Sequence, residues 1–211
     1  YENIPKLLCR DICQKSQFSF DDEGKFYTTT TVYGYIKNKT IKEDYKYLLA
    51  VLNSQLTWYF MKNTAAVLAN GYYRYMPRYI SEFPIPEATS KTELPFICLA
   101  DYILFLKALP VESPINEHVP NTHLIQLFEE VIDALVYELY FEEDFKKAGI
   151  EFMKYAQRDF ESIEGKGEKE AIEIIHKAYQ KLREKDNEIR NNLMLMDIKL
   201  ADLIMPIKTA K

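Results

Sequence analysis

The chain has 211 residues and a mass of 24.9 kDa, enough for one large domain or for a small domain with an extension. Its 47% hydrophobic content supports a core and excludes wholesale disorder. Three cysteines, an odd number, argue against a disulfide scaffold and point to a reducing, cytoplasmic compartment. The most apolar stretch, residues 94–109, carries Asp101 and Lys107 and is too short to span a bilayer, so no membrane partner is expected. The chain opens on Tyr1 rather than Met, without a basic-then-apolar leader, as a piece of a longer protein would.

The net charge of −5 is unevenly spread. Residues 1–90 hold 11 Lys and Arg against 9 Asp and Glu, whereas residues 91–211 hold 16 against 23. Eleven of the 16 tyrosines also fall in the first ninety residues, and Pro84, Pro86 and Ser90 mark the break. Two regions are expected: an aromatic α+β part over 1–90, and a helical part over 91–211 that packs on it and extends as a helix pair. An acidic chain does not by itself indicate a nucleic-acid protein, so any DNA contact would need a local basic face in the first region.

In chain order, residues 1–40 read as strands. Phe18-Ser19-Phe20 leads through the turn-rich Asp21-Asp22-Glu23-Gly24 into residues 25–36, rich in Tyr, Thr, Val and Phe, and a hairpin is the simple reading. From Glu43 the spacing of Tyr45, Leu48, Leu49, Leu52, Leu56, Tyr59 and Phe60 predicts an amphipathic helix. Asn70-Gly71 signals a turn, followed by two short strands over 72–76 and 80–85, the second bordered by prolines that cannot donate to a ladder.

Beyond the break, residues 94–108 predict a mostly buried helix and residues 110–120, with three prolines, a loop. Thr122 is the expected N-cap of a helix whose stripe runs from Leu124 to Leu139. A helix over 142–161 is weakened at Gly149, and residues 168–185 and 189–203 predict a final helix or antiparallel pair with Glu/Lys-rich surfaces. The fold class is therefore α+β: a small, mainly antiparallel sheet with helices, followed by a helical C-terminal extension.

The chain carries no complete catalytic constellation. His118, His123 and His176 have no Cys or carboxylate at ligand spacing and read as surface or loop histidines. Cys9 and Cys13 form one C-x-x-x-C with only Cys98 to add, which reads as buried thiols rather than a zinc site. Neither a phosphate-binding G-x-x-x-x-G-K-[ST] loop nor a G-x-S-x-G elbow is present. Asp144-Phe145-Lys146, behind Glu142 and Glu143, reads as an acidic helix start.

One segment stands out. Residues 70–79 place Tyr72, Tyr73, Tyr75 and Tyr79 with Arg74 and Arg78 in ten positions. An Arg can fork onto guanine or phosphate, and a Tyr offers a stacking face and a hydroxyl. The bland reading is a Tyr-rich strand pair on the core with Arg toward solvent. Lys25, Lys37 and Lys39 read as hairpin-end lysines able to touch phosphates, or as plain solvated turns. The candidate DNA-binding residues are Lys25, Lys37, Lys39, Tyr72, Tyr73, Arg74 and Arg78.

The order Lys6-Leu7-Leu8, Phe18-x-Phe20-Asp21, residues 47–54 (YLLAVLNS), Gly71-Tyr72-Tyr73-Arg74 and residues 80–86 (ISEFPIP) resembles the TaqI-like C-terminal specificity domain. This is the target recognition domain of N6-adenine DNA methyltransferases and of fused type IIG restriction–modification enzymes. Residues 132–140 (IDALVYELY) resemble a helix that often follows it, so the resemblance spans about 4–141.

The resemblance implies a module that reads base edges in duplex DNA for a catalytic part of the same parent chain. That part would use S-adenosylmethionine, with Mg where a nuclease is fused, and would flip an adenine out of the stack because its amine is inaccessible there. The glycine and Asn-Pro-Pro-Tyr-type motifs of that part do not occur here, so no catalytic residue and no cofactor are expected in this chain. The candidates for reading those base edges are the segment of Arg74 and Arg78 and the hairpin region 27–39; the family has no base-reading residues at motif-marked positions, so none is carried over. The competing readings are a helical protein–protein interaction module with no DNA contact, which the acidic second region fits, and an incomplete hydrolase or nuclease.

Overall fold

The computed structural model describes residues 3–110, 115–116 and 119–210, and they fold as two compact units. The first comprises residues 1–87 and 207–211, the second residues 88–206.

The first unit is built on two three-stranded antiparallel sheets. In one, β1 (Lys6–Arg10) lies between β3 (Phe18–Asp21) and β4 (Val32–Tyr35). The expected hairpin between residues 18–20 and 25–36 is therefore corrected: the two strands flank β1 instead of pairing. Residues 22–31 form too long and irregular a connection for a tight turn. The register Leu7↔Phe20, Cys9↔Phe18 and Leu7↔Tyr35 gathers these side chains on one face. There Phe20 stacks on Tyr45 at 5.4 Å and Phe18 meets Tyr35 at 5.8 Å.

In the second sheet β6 (Tyr72–Arg74) lies between β2 (Ile12–Cys13) and β5 (Val67–Leu68). Residues 80–85 are not the expected strand. Pro77 opens a single helical turn, α3 (Pro77–Ile80), and Phe83 N–H closes a turn onto the Ile80 carbonyl at 3.1 Å.

The helix expected from Glu43 divides into α1 (Tyr45–Asn53) and α2 (Gln55–Thr64). Ser54, extended at φ −66° and ψ 158°, separates them and caps the second, its Oγ accepting from Thr57 N. The neighbouring Asn53 pairs with the backbone of Phe18 as another strand would: Oδ1 accepts from Phe18 N at 2.8 Å and Nδ2 donates to Phe18 O at 2.9 Å. Tyr47 OH donates to Pro86 O at 2.9 Å. The LNS and PIP segments of the sequence thus tie α1 to the first sheet and to the end of the unit. The lone tryptophan, Trp58, is buried and donates to Ala210 O at 3.0 Å.

The second unit is helical among the described residues. Helix α4 (Ser90–Ala108) starts four residues before the expected Leu94, capped by Thr89. Pro95 lies inside it and leaves the Lys91 carbonyl without its helical donor, and Gln157 Nε2 supplies one at 2.9 Å. Helix α5 (Asn121–Tyr140) begins after an extended Pro120, so Thr122 is inside the helix and not its cap. The helix expected over 142–161 is two short ones, α6 (Glu142–Ala148) and α7 (Met153–Asp159), because Gly149 turns left-handed at φ +67°. Helices α8 (Glu168–Arg183) and α9 (Glu188–Lys199) follow, then α10 (Ala201–Lys208). Tyr102, Phe128 and Phe160 meet edge to face at the core. Among the described residues no helix is long and apolar enough to cross a membrane.

Candidate nucleic-acid interface

Strand alternation divides the Tyr/Arg segment. The register Ile12↔Arg74 and Leu68↔Tyr72 sets Ile12, Leu68, Tyr72 and Arg74 on one face, and Cys13↔Tyr73 sets those two on the other. The first face is open, with Ile12 43% and Tyr72 38% exposed. On the second, Tyr73 is buried edge-on to Trp58 at 5.1 Å and Tyr75 is fully buried with its hydroxyl 3.0 Å from Ser16 Oγ, while Val67, opposite Tyr73 on the edge strand, is exposed.

Asp11, the residue between β1 and β2, organises the open face. Its N–H donates to Thr31 O at 2.9 Å, its carbonyl accepts from Tyr75 N at 2.6 Å, and its Oδ2 accepts from Arg74 Nη1 at 2.9 Å. The Asp11 side chain is largely buried and that of Arg74 is 38% exposed, so the carboxylate anchors the guanidinium from below. Both contacts of the guanidinium, to Asp11 Oδ2 and to Met76 Sδ at 3.9 Å, run through Nη1 and leave the rest of the fork able to donate outward. An arginine fixed in this way loses less side-chain entropy on meeting a base or a phosphate.

The other candidates lie at separate places. Arg78, on α3, is exposed and lies over the Tyr79 ring at 4.6 Å, its Nη2 donating to Tyr79 OH at 2.6 Å. Lys37 is largely engaged: Nζ donates to Glu43 O at 2.6 Å and stands 4.8 Å over the Tyr45 ring. Lys39 is exposed in the turn before α1. Lys25 is exposed and paired with Glu23. The sheet brings Tyr72 and Arg74 together, sends Tyr73 to the core, and leaves Lys25, Lys37, Lys39 and Arg78 on other segments.

Two features of this unit were not singled out residue by residue in the sequence, although Tyr27 opens the 27–39 region offered there for base reading. Asp11 carries no sequence signal, being one aspartate in a strand-rich stretch. Phe26 and Tyr27 are 65% and 69% exposed in the β3–β4 connection. Their signal is an aromatic pair between Gly24-Lys25 and four consecutive threonines.

Cys9, Cys13 and Cys98 are buried free thiols, and the first two point at the Arg10 carbonyl at 3.4 and 3.5 Å. The hydrogen bond that the Cys9 thiol donates to Cys13, together with burial, holds Cys9 well above its ordinary range. His176 Nε2 lies 3.1 Å from Asn116 Nδ2, and His123 meets Tyr179 edge-on at 6.4 Å. His118 lies outside the described residues. Among the described residues no group of three His, Cys, Asp or Glu could hold a metal ion.

The charge follows the two units. The first holds 13 Lys and Arg against 9 Asp and Glu, the second 14 against 23. The family model of the TaqI-like C-terminal specificity domain matches residues 1–85, all within the first unit. No curated protein matches the chain.

Proposed function

We propose, from the match of residues 1–85 to the TaqI-like C-terminal specificity domain, that this chain reads duplex DNA for a S-adenosylmethionine-dependent adenine-N6 methyltransferase part of its parent enzyme. The match carries the reading. The open face with Arg74 and Tyr72, in the unit with the positive balance, supports it. Arg74 reads a base edge or fixes a phosphate, Arg78 and Lys39 take phosphates, and Lys25 joins them on leaving Glu23.

A specificity domain does no chemistry itself. In this proposal S-adenosylmethionine, and Mg where a nuclease part is fused, belong to the catalytic part of the parent. The acidic helical unit, in the same proposal, supports the contact with the methyltransferase part.

The test is binding of the chain to a labelled duplex between about 50 and 200 mM salt, the range in which phosphate contacts show themselves. Affinity should fall steeply with salt, and Arg74→Ala should cost about 1–3 kcal/mol of binding. A chain that binds no duplex at the lower salt refutes the proposal in favour of the helical interaction reading.

A further inference from the structure

Residues 22–31 join β3 to β4, and both ends of this connection are fixed. At its start the Asp21 carboxylate accepts from Lys25 N at 3.0 Å and from Phe26 N at 2.9 Å, and is itself paired with the buried Lys6 at 2.9 Å. Gly24, at φ +69°, lies so close to the segment leading into β1 that an added Cβ would collide with the backbone of Ile4. At its end Thr31 O accepts from Asp11 N at 2.9 Å, and Val32 N donates to Thr29 O at 3.2 Å. Between these anchors Phe26 and Tyr27 are 65% and 69% exposed, followed by the exposed Thr28, Thr29 and Thr30.

Single exposed apolar side chains are ordinary. Two adjacent aromatic rings, each about two-thirds exposed on a backbone pinned at both ends, form a fixed apolar tip. The connection itself carries Lys25, paired with Glu23, and the exposed Asp22, so the apolar tip stands beside charges of both signs. The occupant that the match of residues 1–85 points to is duplex DNA, whose major groove offers one apolar feature on its base edges, the thymine 5-methyl. Resting on the reading that residues 1–85 bind DNA, we infer that Phe26 and Tyr27 are specificity-determining residues whose rings contact thymine methyl groups in the major groove. The same pinned connection presents the threonine hydroxyls and Lys25 to the flanking backbone. The Asp11 hub joins it to the Arg74 face, so aromatic and guanidinium readout have one frame.

The experiment takes the duplex that the chain enriches from a random pool and replaces each thymine in turn by deoxyuridine, which lacks only the methyl. At one or more positions this should weaken the wild-type chain about three- to fivefold, the worth of one buried methyl. In Phe26→Ala/Tyr27→Ala the same replacements should have no effect, with an unchanged salt slope and an unchanged Trp58 emission to report an intact fold. Four results overturn the inference: a motif without thymine, a wild-type chain indifferent to deoxyuridine at every position, a loop variant that stays sensitive, or duplex binding with no enriched motif. Absence of duplex binding altogether refutes the DNA reading and this inference with it, whereas an unaltered preference in the loop variant refutes this inference alone.

Discussion

Lys6 Nζ lies 2.9 Å from Asp21 Oδ2, and solvent reaches 3% and 2% of the two side chains. The carboxylate also holds the amides of Lys25 and Phe26, so the ion pair and the exposed aromatic tip share one anchor. Removing one partner leaves a charge sealed from water, which costs far more than the pair contributes net. Lys6→Met should therefore lower the denaturation midpoint of the first unit more than any other variant below, read by Trp58 fluorescence. Lys6→Met/Asp21→Asn should recover part of the loss, because Asn removes the orphaned charge and keeps an oxygen for one of the two amides, which bond separate carboxylate oxygens.

Acid should release the same anchor. Burial alone would raise the Asp21 carboxyl, but the Lys6 ammonium and the Phe26 and Lys25 amides outweigh it and hold the group below its ordinary range. A depressed folded value means stability that is present above the unfolded pKa, about 3.9, and lost as pH falls through the folded one. The stability gap between wild type and Asp21→Asn should stay level from neutral pH to about 5 and close below about 4.

Gly24→Ala tests the seat of the connection. Both its left-handed backbone and the close approach of the Ile4 backbone oppose a side chain. The variant should lose about 1–3 kcal/mol of stability in denaturant titration. Gly71→Ala, also at positive φ but with nothing within 4 Å, should lose only the backbone part, about 1 kcal/mol.

Neighbouring tyrosines should behave oppositely. Tyr73→Ala empties a core position against Trp58 and should cost about 3 kcal/mol or more of stability. Tyr72→Ala, on the open face, should stay within about 0.5 kcal/mol in stability and instead weaken duplex binding. Equilibrium unfolding and binding measured on both variants separate the two roles.

In the helical unit, Glu138 Oε2 accepts from Phe152 N at 2.9 Å and Met153 N at 2.7 Å, capping α7 from a neighbouring helix. Burial pushes its carboxyl up despite those amides. A raised folded value means stability fully present below the unfolded pKa, about 4.3, and lost as pH rises through the folded one. Glu138→Gln keeps an acceptor without the charge, so its melting temperature by circular dichroism should gain on wild type between about pH 4 and 7. Glu138→Ala should cost about 1–3 kcal/mol through the two amides left unpaired.

The α+β class and the helical second half were legible because long apolar stripes, such as Leu124 to Leu139, leave one reading. The shorter elements were not. A two-residue strand such as β2 has no period to detect, and the partner of β3 depended on β1, whose central place comes from tertiary pairing. Ser54 was visible only as part of a motif, and its work as a helix break and cap needs the backbone angles. At the candidate interface the Tyr/Arg segment was visible, but which tyrosine faces solvent was fixed by register with β2. Asp11 was invisible because three of its partners come from distant segments: Thr31, Arg74 and Tyr75.

The most direct test of the central claim is selection of duplexes from a random pool by the 211-residue chain at about 50 and 200 mM salt, followed by sequencing of the bound fraction. The account predicts a short enriched motif, with affinity falling as salt rises and enrichment weakened by Arg74→Ala. Absence of any duplex binding at the lower salt, with Arg74 and Tyr72 still exposed, would contradict it.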